Sequence, residues 1–228
     1  MKLVLIGYGR MGHAIEALAR VRGHMVVCTV DNAQEWGSKA DTLRTADVAI
    51  EFTTPGTAAD NIRRCFDMGL PVVSGTTGWD AEFDGVVAQC LAGGHSLFTA
   101  SNFSLGMNIM FSLNERLAEL MRGRTGYEVS IAETHHIHKL DAPSGTALTL
   151  ASQIADCGGR RLDEIPIESF REGEVPGTHT VTYRSEIDTL TLTHEAHSRQ
   201  GLALGALLAA EFLQGKRGHY TMKDLLEG

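Results

Sequence analysis

The chain lacks a C-x-x-C pair, a basic excess, a membrane-length apolar run and any internal repeat. Each absence removes a class of function. Its four cysteines, Cys28, Cys65, Cys90 and Cys157, are scattered. That spacing fits reduced, buried thiols of a cytoplasmic protein and not a disulfide framework. The formal net charge is −8. Nucleic-acid binders usually carry a basic excess, so no nucleic-acid partner is expected. A local basic pocket for an acidic substrate remains compatible with that charge. With no apolar run long enough to span a bilayer, no membrane partner is expected either. The N-terminus enters Lys2-Leu3-Val4-Leu5-Ile6-Gly7 at once, too short an apolar stretch for a signal peptide. A helical H-E-x-x-H is missing as well.

What is present is a globular composition. In a chain of 228 residues, 43% are apolar, enough for one large or two small domains with real cores. Leu3–Ile6 is a continuous apolar run ended by glycine, as in a buried parallel strand. Gly7-Tyr8-Gly9-Arg10-Met11-Gly12 follows, then a helical pattern through Ala14, Ile15, Leu18 and Ala19. A second apolar run, Met25–Val30, ends at Asp31. Strand, glycine-rich turn, helix, strand and acid make up a dinucleotide-binding unit. Gly7 and Gly9 would let the backbone approach a pyrophosphate, and Gly12 would let the helix pack closely on the strand.

Alternation continues to about residue 102. Strands are expected at Asp47–Phe52, Leu70–Ser74 and Ser96–Thr99, with helices at Thr57–Met68 and Trp79–Leu91. Asn32–Thr45 reads as a short polar connection. Such alternation predicts a parallel sheet, whose ligands bind beyond the carboxyl ends of its strands. Phe52-Thr53, Gly75-Thr76-Thr77 and Ala100-Ser101-Asn102-Phe103 fall at such ends, with Gly7, Gly9, Arg10, Met11, Gly12 and Asp31 at the first. These are the expected cofactor residues. The character then changes. A long helix is expected at Leu105–Met121 and a strand at Tyr127–Glu133. Later strands at Ile165–Phe170, Thr178–Ser185 and Glu186–His197 predict an antiparallel or mixed sheet. Gly201–Leu213 is an apolar helix that should return to the first domain. The fold class expected is α/β: an N-terminal Rossmann-type domain over residues 1–102, completed by 202–228, and a C-terminal α+β domain over 103–201.

Glu128–Leu148 concentrates the chemistry. It holds His135, His136, His138 and Lys139, then Pro143-Ser144-Gly145-Thr146, where Pro143 suits the first turn of a helix. A helix start leaves backbone N–H groups free and favours an anion. The plain alternative is a solvated histidine loop followed by ordinary capping. A metal site is another reading, since His135 with His138, or His136 with Asp141, has ligand chemistry. Lys139 competes for that space, and no metal is expected.

The run Glu133-Thr134-His135-His136-Ile137-His138-Lys139-Leu140-Asp141-Ala142-Pro143-Ser144-Gly145-Thr146-Ala147 resembles the signature of the dihydrodipicolinate reductase (4-hydroxy-tetrahydrodipicolinate reductase) family. Agreement extends to Gly7–Gly12, Phe52–Pro55, Gly75–Gly78 and Asn102–Gly106, and so covers most of the chain. The resemblance implies nicotinamide-dependent reduction of a cyclic imine dicarboxylate in lysine and diaminopimelate synthesis, by a homotetramer. It also implies His135 as general acid and Lys139 as a second proton donor or anion partner. His136, Ser144, Gly145, Thr146 and Arg199 would hold the substrate.

Hydride addition to a conjugated imine leaves negative charge on the ring, and a proton must follow. Histidine titrates nearest neutral pH and suits that task. Other classes consistent with the residues are a different Rossmann oxidoreductase, a nucleotide sensor without turnover, and a metallohydrolase. NADH is the expected cofactor in preference to NADPH, because Asp31 suits two ribose hydroxyls and repels a 2′-phosphate. Asn32 adds no charge, whereas Lys39 and Arg44, in the segment between Asp31 and Asp47 that is shorter than usual for the family it resembles, could swing towards that phosphate.

Overall fold

The computed structural model describes residues 1–198 and 200–228. The chain divides into two compact units, Met1–Leu105 with Gln200–Gly228, and Gly106–Arg199. In the first unit the apolar runs become strands β1 (Lys2–Ile6), β2 (Met25–Val30), β3 (Val48–Glu51), β4 (Val72–Ser74) and β5 (Ser96–Thr99). Helices α1 (Arg10–Val21), α2 (Glu35–Ser38), α3 (Ala40–Leu43), α4 (Pro55–Asp67) and α5 (Asp80–Ala92) join them. The expected connection at 32–45 is thus two single-turn helices. Their anchors are Trp36 and Leu43, buried one per turn within otherwise polar sequence.

The second unit begins with α6 (Leu105–Met121), whose first residue still belongs to the first. It continues with β6 (Glu128–His135), α7 (Gly145–Gly158), β7 (Ile167–Arg171), β8 (Gly177–Arg184) and β9 (Thr189–Ala196). The chain then re-enters the first unit as α8 (Gln200–Leu213), β10 (Gly218–Tyr220) and α9 (Met222–Glu227). The sequence pattern did not reveal β10 or α9.

The first sheet has six parallel strands in the order β10-β5-β4-β3-β1-β2. Strand order reverses at β1, between β2 and β3, the place where a doubly wound sheet opens a ligand crevice. Both faces are covered. One face carries Val4, Ile6, Ile62, Phe66 and Leu97; the other packs Leu5, Ile50, Phe98 and Phe103 against Ala206, Leu207 and Ala210 of α8. Continuous apolar strands are what a sheet covered on two sides requires.

The second sheet has four strands in the order β7-β6-β8-β9, with β6–β7 parallel and the other pairs antiparallel. Its strands alternate. Val129, Ile131, Val181 and Tyr183 pack with Met107, Met110, Leu150 and Ile154 of α6 and α7. Thr178, Thr180 and Thr182 face the other way. The expected parallel Rossmann-type sheet and mixed sheet are both present. No helix among the described residues is long and apolar enough to cross a membrane.

Two local expectations need correcting. Strand β6 runs on to His135, so that histidine stands on a strand and not in the loop. Pro143 lies before the helix it was expected to enter: Ser144 is the N-cap and Gly145 the first residue of α7. Serine wins that position because its Oγ accepts the Ala147 N–H, at 3.2 Å.

Candidate active site

The first unit has a cleft of about 370 Å³ where β1, β2 and β3 end. Gly7, Gly9, Asp31, Phe52 and Thr53 line it, joined by Trp36, Asp60 and Arg64. Local packing dictates the glycines. A Cβ on Gly7, which has φ +88°, would fall 2.0 Å from the Phe52 carbonyl oxygen, and one on Gly75 would fall 2.2 Å from the Phe52 ring. Gly9 differs, because among the described residues no atom beyond its chain neighbours lies within 4 Å of its would-be Cβ. It precedes α1, whose first turn has no side-chain cap. That open glycine at an uncapped helix start suits a pyrophosphate.

The Asp31 Oδ1 accepts the Tyr8 N–H at 2.9 Å, tying the glycine loop to the end of β2. Buried Glu51, at the end of β3, performs a similar task between loops. It accepts the Thr53 N–H at 3.0 Å, the Ser74 hydroxyl at 2.6 Å and the Thr76 hydroxyl at 2.8 Å. The cations of the shortened loop are engaged elsewhere. Lys39 donates to the Thr29 carbonyl at 2.7 Å and pairs with Glu35, and Arg44 meets Asp41. Among the residues lining the cleft the basic one is Arg64, its guanidinium 5.6 Å above the Trp36 ring.

In the second unit the sheet register assembles a buried polar cluster. Glu133 and His135 are two residues apart on β6 and share its buried face. Parallel pairing sets Arg171 beside His135, and antiparallel pairing sets His179 beside Glu133. The two Glu133 oxygens divide the work. Oε2 shares a short hydrogen bond with His135 Nδ1. Oε1 accepts from Arg171 at 3.0 Å and from the Ser144 N–H at 3.3 Å. His179 Nε2 meets the Ser144 hydroxyl at 3.2 Å, and its ring stands edge-on to His135 with centroids 5.0 Å apart. Arg171 also donates to the Lys139 and Asp141 carbonyls, holding the following loop against β7.

Charges in the cluster pull against one another. Burial pushes His135 below the ordinary imidazole value; Glu133 pulls it back up, while Lys139 and Arg171 push down. Burial would raise the Glu133 carboxyl, but Ser169, then Arg171 and His135, outweigh it and leave it low. His179 falls to about 4, mainly through burial and then through His135. It is therefore neutral at physiological pH.

Two family models match the chain: "Dihydrodipicolinate reductase, N-terminus" over residues 1–103, and "Dihydrodipicolinate reductase, C-terminus" over residues 106–226. The chain belongs to the dihydrodipicolinate reductase family. A curated 4-hydroxy-tetrahydrodipicolinate reductase of Christiangramia forsetii is 48% identical, covering 99% of this chain and 98% of the relative. One from Methanopyrus kandleri is 40% identical over 80% of this chain and 72% of its own length. Among solved structures, the dipicolinate-bound dihydrodipicolinate reductase of Paenisporosarcina sp. TG-14 superposes with a TM-score of 0.83 at 21% identity, covering 97% of each chain. Membership makes this protein an oxidoreductase of pyridine nucleotides, and the open Gly9 and the cleft at the β1/β3 reversal fit that cofactor.

The expected residues of a dihydrodipicolinate reductase are not all brought to one place. Gly7, Gly9, Asp31, Phe52 and Thr53 share the cleft. Arg10, Met11, Gly12, Gly75, Thr76, Thr77, Ala100, Ser101 and Asn102 lie outside its lining, at neighbouring strand ends or in α1. Phe103 is 2% exposed and packs on Phe52 and Phe98, so its ring faces the core. In the second unit Lys139 grips Asp141 through two contacts of 2.8 and 2.9 Å, and His136 is half-buried. Gly145 and Thr146 open α7. Arg199 lies outside the described residues.

Of the residues in the two metal pairings considered from the sequence, His138 meets Glu174 and Asp141 meets Lys139. A different trio, Glu133, His135 and His179, has ligand-type atoms within 4.8 Å of one another. Arg171, 3.0 Å from that carboxylate, disfavours a second cation there. Sequence reasoning assigned no role to Glu51, Arg64, Arg171 or His179. For Glu133 a signal existed, since it stands two residues before His135 in strand-forming sequence.

Proposed function

We propose that this protein reduces 4-hydroxy-tetrahydrodipicolinate to tetrahydrodipicolinate in diaminopimelate and lysine synthesis, with His135 as proton donor. The observation that carries the assignment is the His135 ring itself. It is 8% exposed, on a strand, and held at Nδ1 by a carboxylate, which leaves Nε2 as the end that exchanges a proton. Loss of water from the 4-hydroxy compound gives the conjugated imine, to which the nicotinamide, when bound, would supply hydride. His135 then delivers a proton to the carbon that has become electron-rich.

The substrate is a cyclic dicarboxylate, in keeping with the dipicolinate carried by the Paenisporosarcina relative. Its carboxylates are assigned to Lys139, His136 and the start of α7. There Ser144 takes the Ala147 N–H and leaves the Gly145 and Thr146 N–H groups without intrahelical acceptors. Arg199 joins them by family resemblance. Cofactor binding belongs to Met1–Leu105 with Gln200–Gly228, and substrate binding to Gly106–Arg199. NADH is preferred over NADPH, because Asp31 lines the cleft while Lys39 and Arg44 are not among its lining residues.

The protein assembles as a homotetramer through the threonine-rich face of the mixed sheet. That face also carries Phe170, 50% exposed, and ends in the unpaired edge strand β9. Such a face needs a partner. Light scattering that gives a single species of 24.6 kDa would remove the assembly. The activity is tested by following cofactor oxidation while a synthase generates the unstable substrate in situ. Oxidation should require both enzyme and substrate, and a flat trace would overturn the assignment.

A further inference from the structure

We propose that Glu133 is a positioning residue: anchored by Arg171 and the Ser144 N–H, it fixes the tautomer and direction of the His135 imidazole so that Nε2 carries the transferred proton. This rests on the reading of His135 as proton donor.

The geometry limits the alternatives. Glu133 is 1% exposed, so each of its oxygens needs a protein partner. Oε1 is occupied by Arg171 at 3.0 Å and Ser144 N–H at 3.3 Å. Only Oε2 is turned to His135, and it meets Nδ1. Arg171 is locked in turn, donating to the Phe170 carbonyl at 2.6 Å and the Asp141 carbonyl at 2.6 Å. The carboxylate therefore has one orientation, and so has the ring. At the other end of the ring stands Gly177. A Cβ there would approach Nε2 to 3.0 Å, so the glycine keeps that nitrogen uncrowded.

The chemistry follows from this arrangement. In the charged imidazole both nitrogens bear hydrogen, with Nδ1–H given to Glu133. On proton transfer the Nε2–H bond breaks, and its electron pair stays on the ring. The proton joins the carbon that gained negative charge from hydride addition. The neutral imidazole left behind keeps Nδ1–H, the tautomer that a carboxylate at Nδ1 stabilises. Solvent then restores the Nε2 proton. Without the carboxylate, the neutral ring is free to hold its hydrogen at Nε2 and to rotate.

The groups around the ring give this device a signature in pH. Facing His135 are Glu133 on its own strand, Arg171 on β7, His179 on β8 and Lys139 in the loop beyond β6. Glu133 alone among them favours the imidazolium. Lys139 and Arg171 oppose it, and neutral His179 adds no charge. Loss of the Glu133 charge should move the His135 titration to lower pH.

The test uses the full-length protein labelled with ¹⁵N-histidine, together with Glu133→Gln and Glu133→Asp. In the wild type, imidazole ¹⁵N shifts should show the Nδ1–H tautomer at His135 above its titration. In Glu133→Gln that preference should be lost. Its kcat should fall about a hundredfold, the scale of a mispositioned general acid, with substrate KM changed less than about threefold. The alkaline limb of its kcat profile should shift to lower pH, and Glu133→Asp should restore part of that shift. An Nε2–H tautomer in the wild type overturns the inference even if no variant folds. So does a Glu133→Gln enzyme with unshifted pH limb and normal kcat. Failure of the underlying reading looks different: His135→Gln would retain turnover while the wild-type tautomer remained Nδ1–H.

Discussion

Exchange of Asp31 for asparagine should erase most of the proposed preference for NADH. The side chain lines the cleft, with Oδ1 held by the Tyr8 N–H at 2.9 Å. The remaining oxygen suits the adenosine ribose hydroxyls. A 2′-phosphate would bring nearly two negative charges to about 5 Å from this carboxylate. In bulk water that repulsion is about 1.5 kcal/mol, and a partly shielded cleft raises it while salt lowers it. A penalty of about 1–3 kcal/mol corresponds to a ten- to hundredfold discrimination in kcat/KM. Lys39 offsets it only by leaving Thr29 and Glu35, and Arg44 lies outside the lining of the cleft. Arg64 is the basic group at hand, and it sits over Trp36. The measurement is the NADH-to-NADPH ratio of kcat/KM in wild type, Asp31→Asn and Arg64→Ala. Asp31→Asn should bring the ratio near one, chiefly by improving NADPH. Arg64→Ala should widen it. A wild-type enzyme that uses the two equally, or an Asp31→Asn ratio equal to wild type, refutes the electrostatic argument.

Replacing His135 with glutamine should lower kcat about a hundredfold or more with little change in substrate KM, measured by steady-state kinetics on a folded variant. Stability should fall on acidification. His179 binds its proton near pH 6.5 when unfolded but only at about 4 when folded, so its contribution is complete above 6.5 and is lost as pH drops towards 4. Thermal melts of His179→Gln should show a flatter dependence across that window, and an unchanged slope would contradict the assignment.

Periodicity and turn chemistry made much of the fold legible. Five of the six parallel strands were readable as short apolar runs ending in glycine, acid or threonine, and α6 followed from Leu105–Met121. Missed elements share a physical cause. The turns at Glu35–Ser38 and Ala40–Leu43 each bury a single large residue, too few for a helical pattern to emerge. Strand β10 has three half-buried residues, and its identity comes from pairing with β5. In the candidate site, His135, Lys139 and the α7 start lie close together in sequence and were visible there. Arg171 and His179 reach the cluster through strand register, which local sequence does not encode. The orientation of Pro143 relative to its helix turned on a competition with Ser144 for the cap, and a hydroxyl satisfies an N–H that proline cannot.

The return of the chain to the first unit has a bearing on how the protein is made. One face of the parallel sheet packs against Ala203, Ala206, Leu207, Ala210 and Leu213 of α8, and one of its two edge strands is β10. These segments leave the ribosome after every residue of the second unit. During synthesis the nascent first unit must wait with this sheet face only partly covered, by Ile15 and Ala19 of α1, while the inserted unit already has all its strands and helices. The order of completion is thus the reverse of the order of translation. Stalling near residue 199 would strand part of an apolar sheet face in water, which makes that window the period of greatest need for a chaperone.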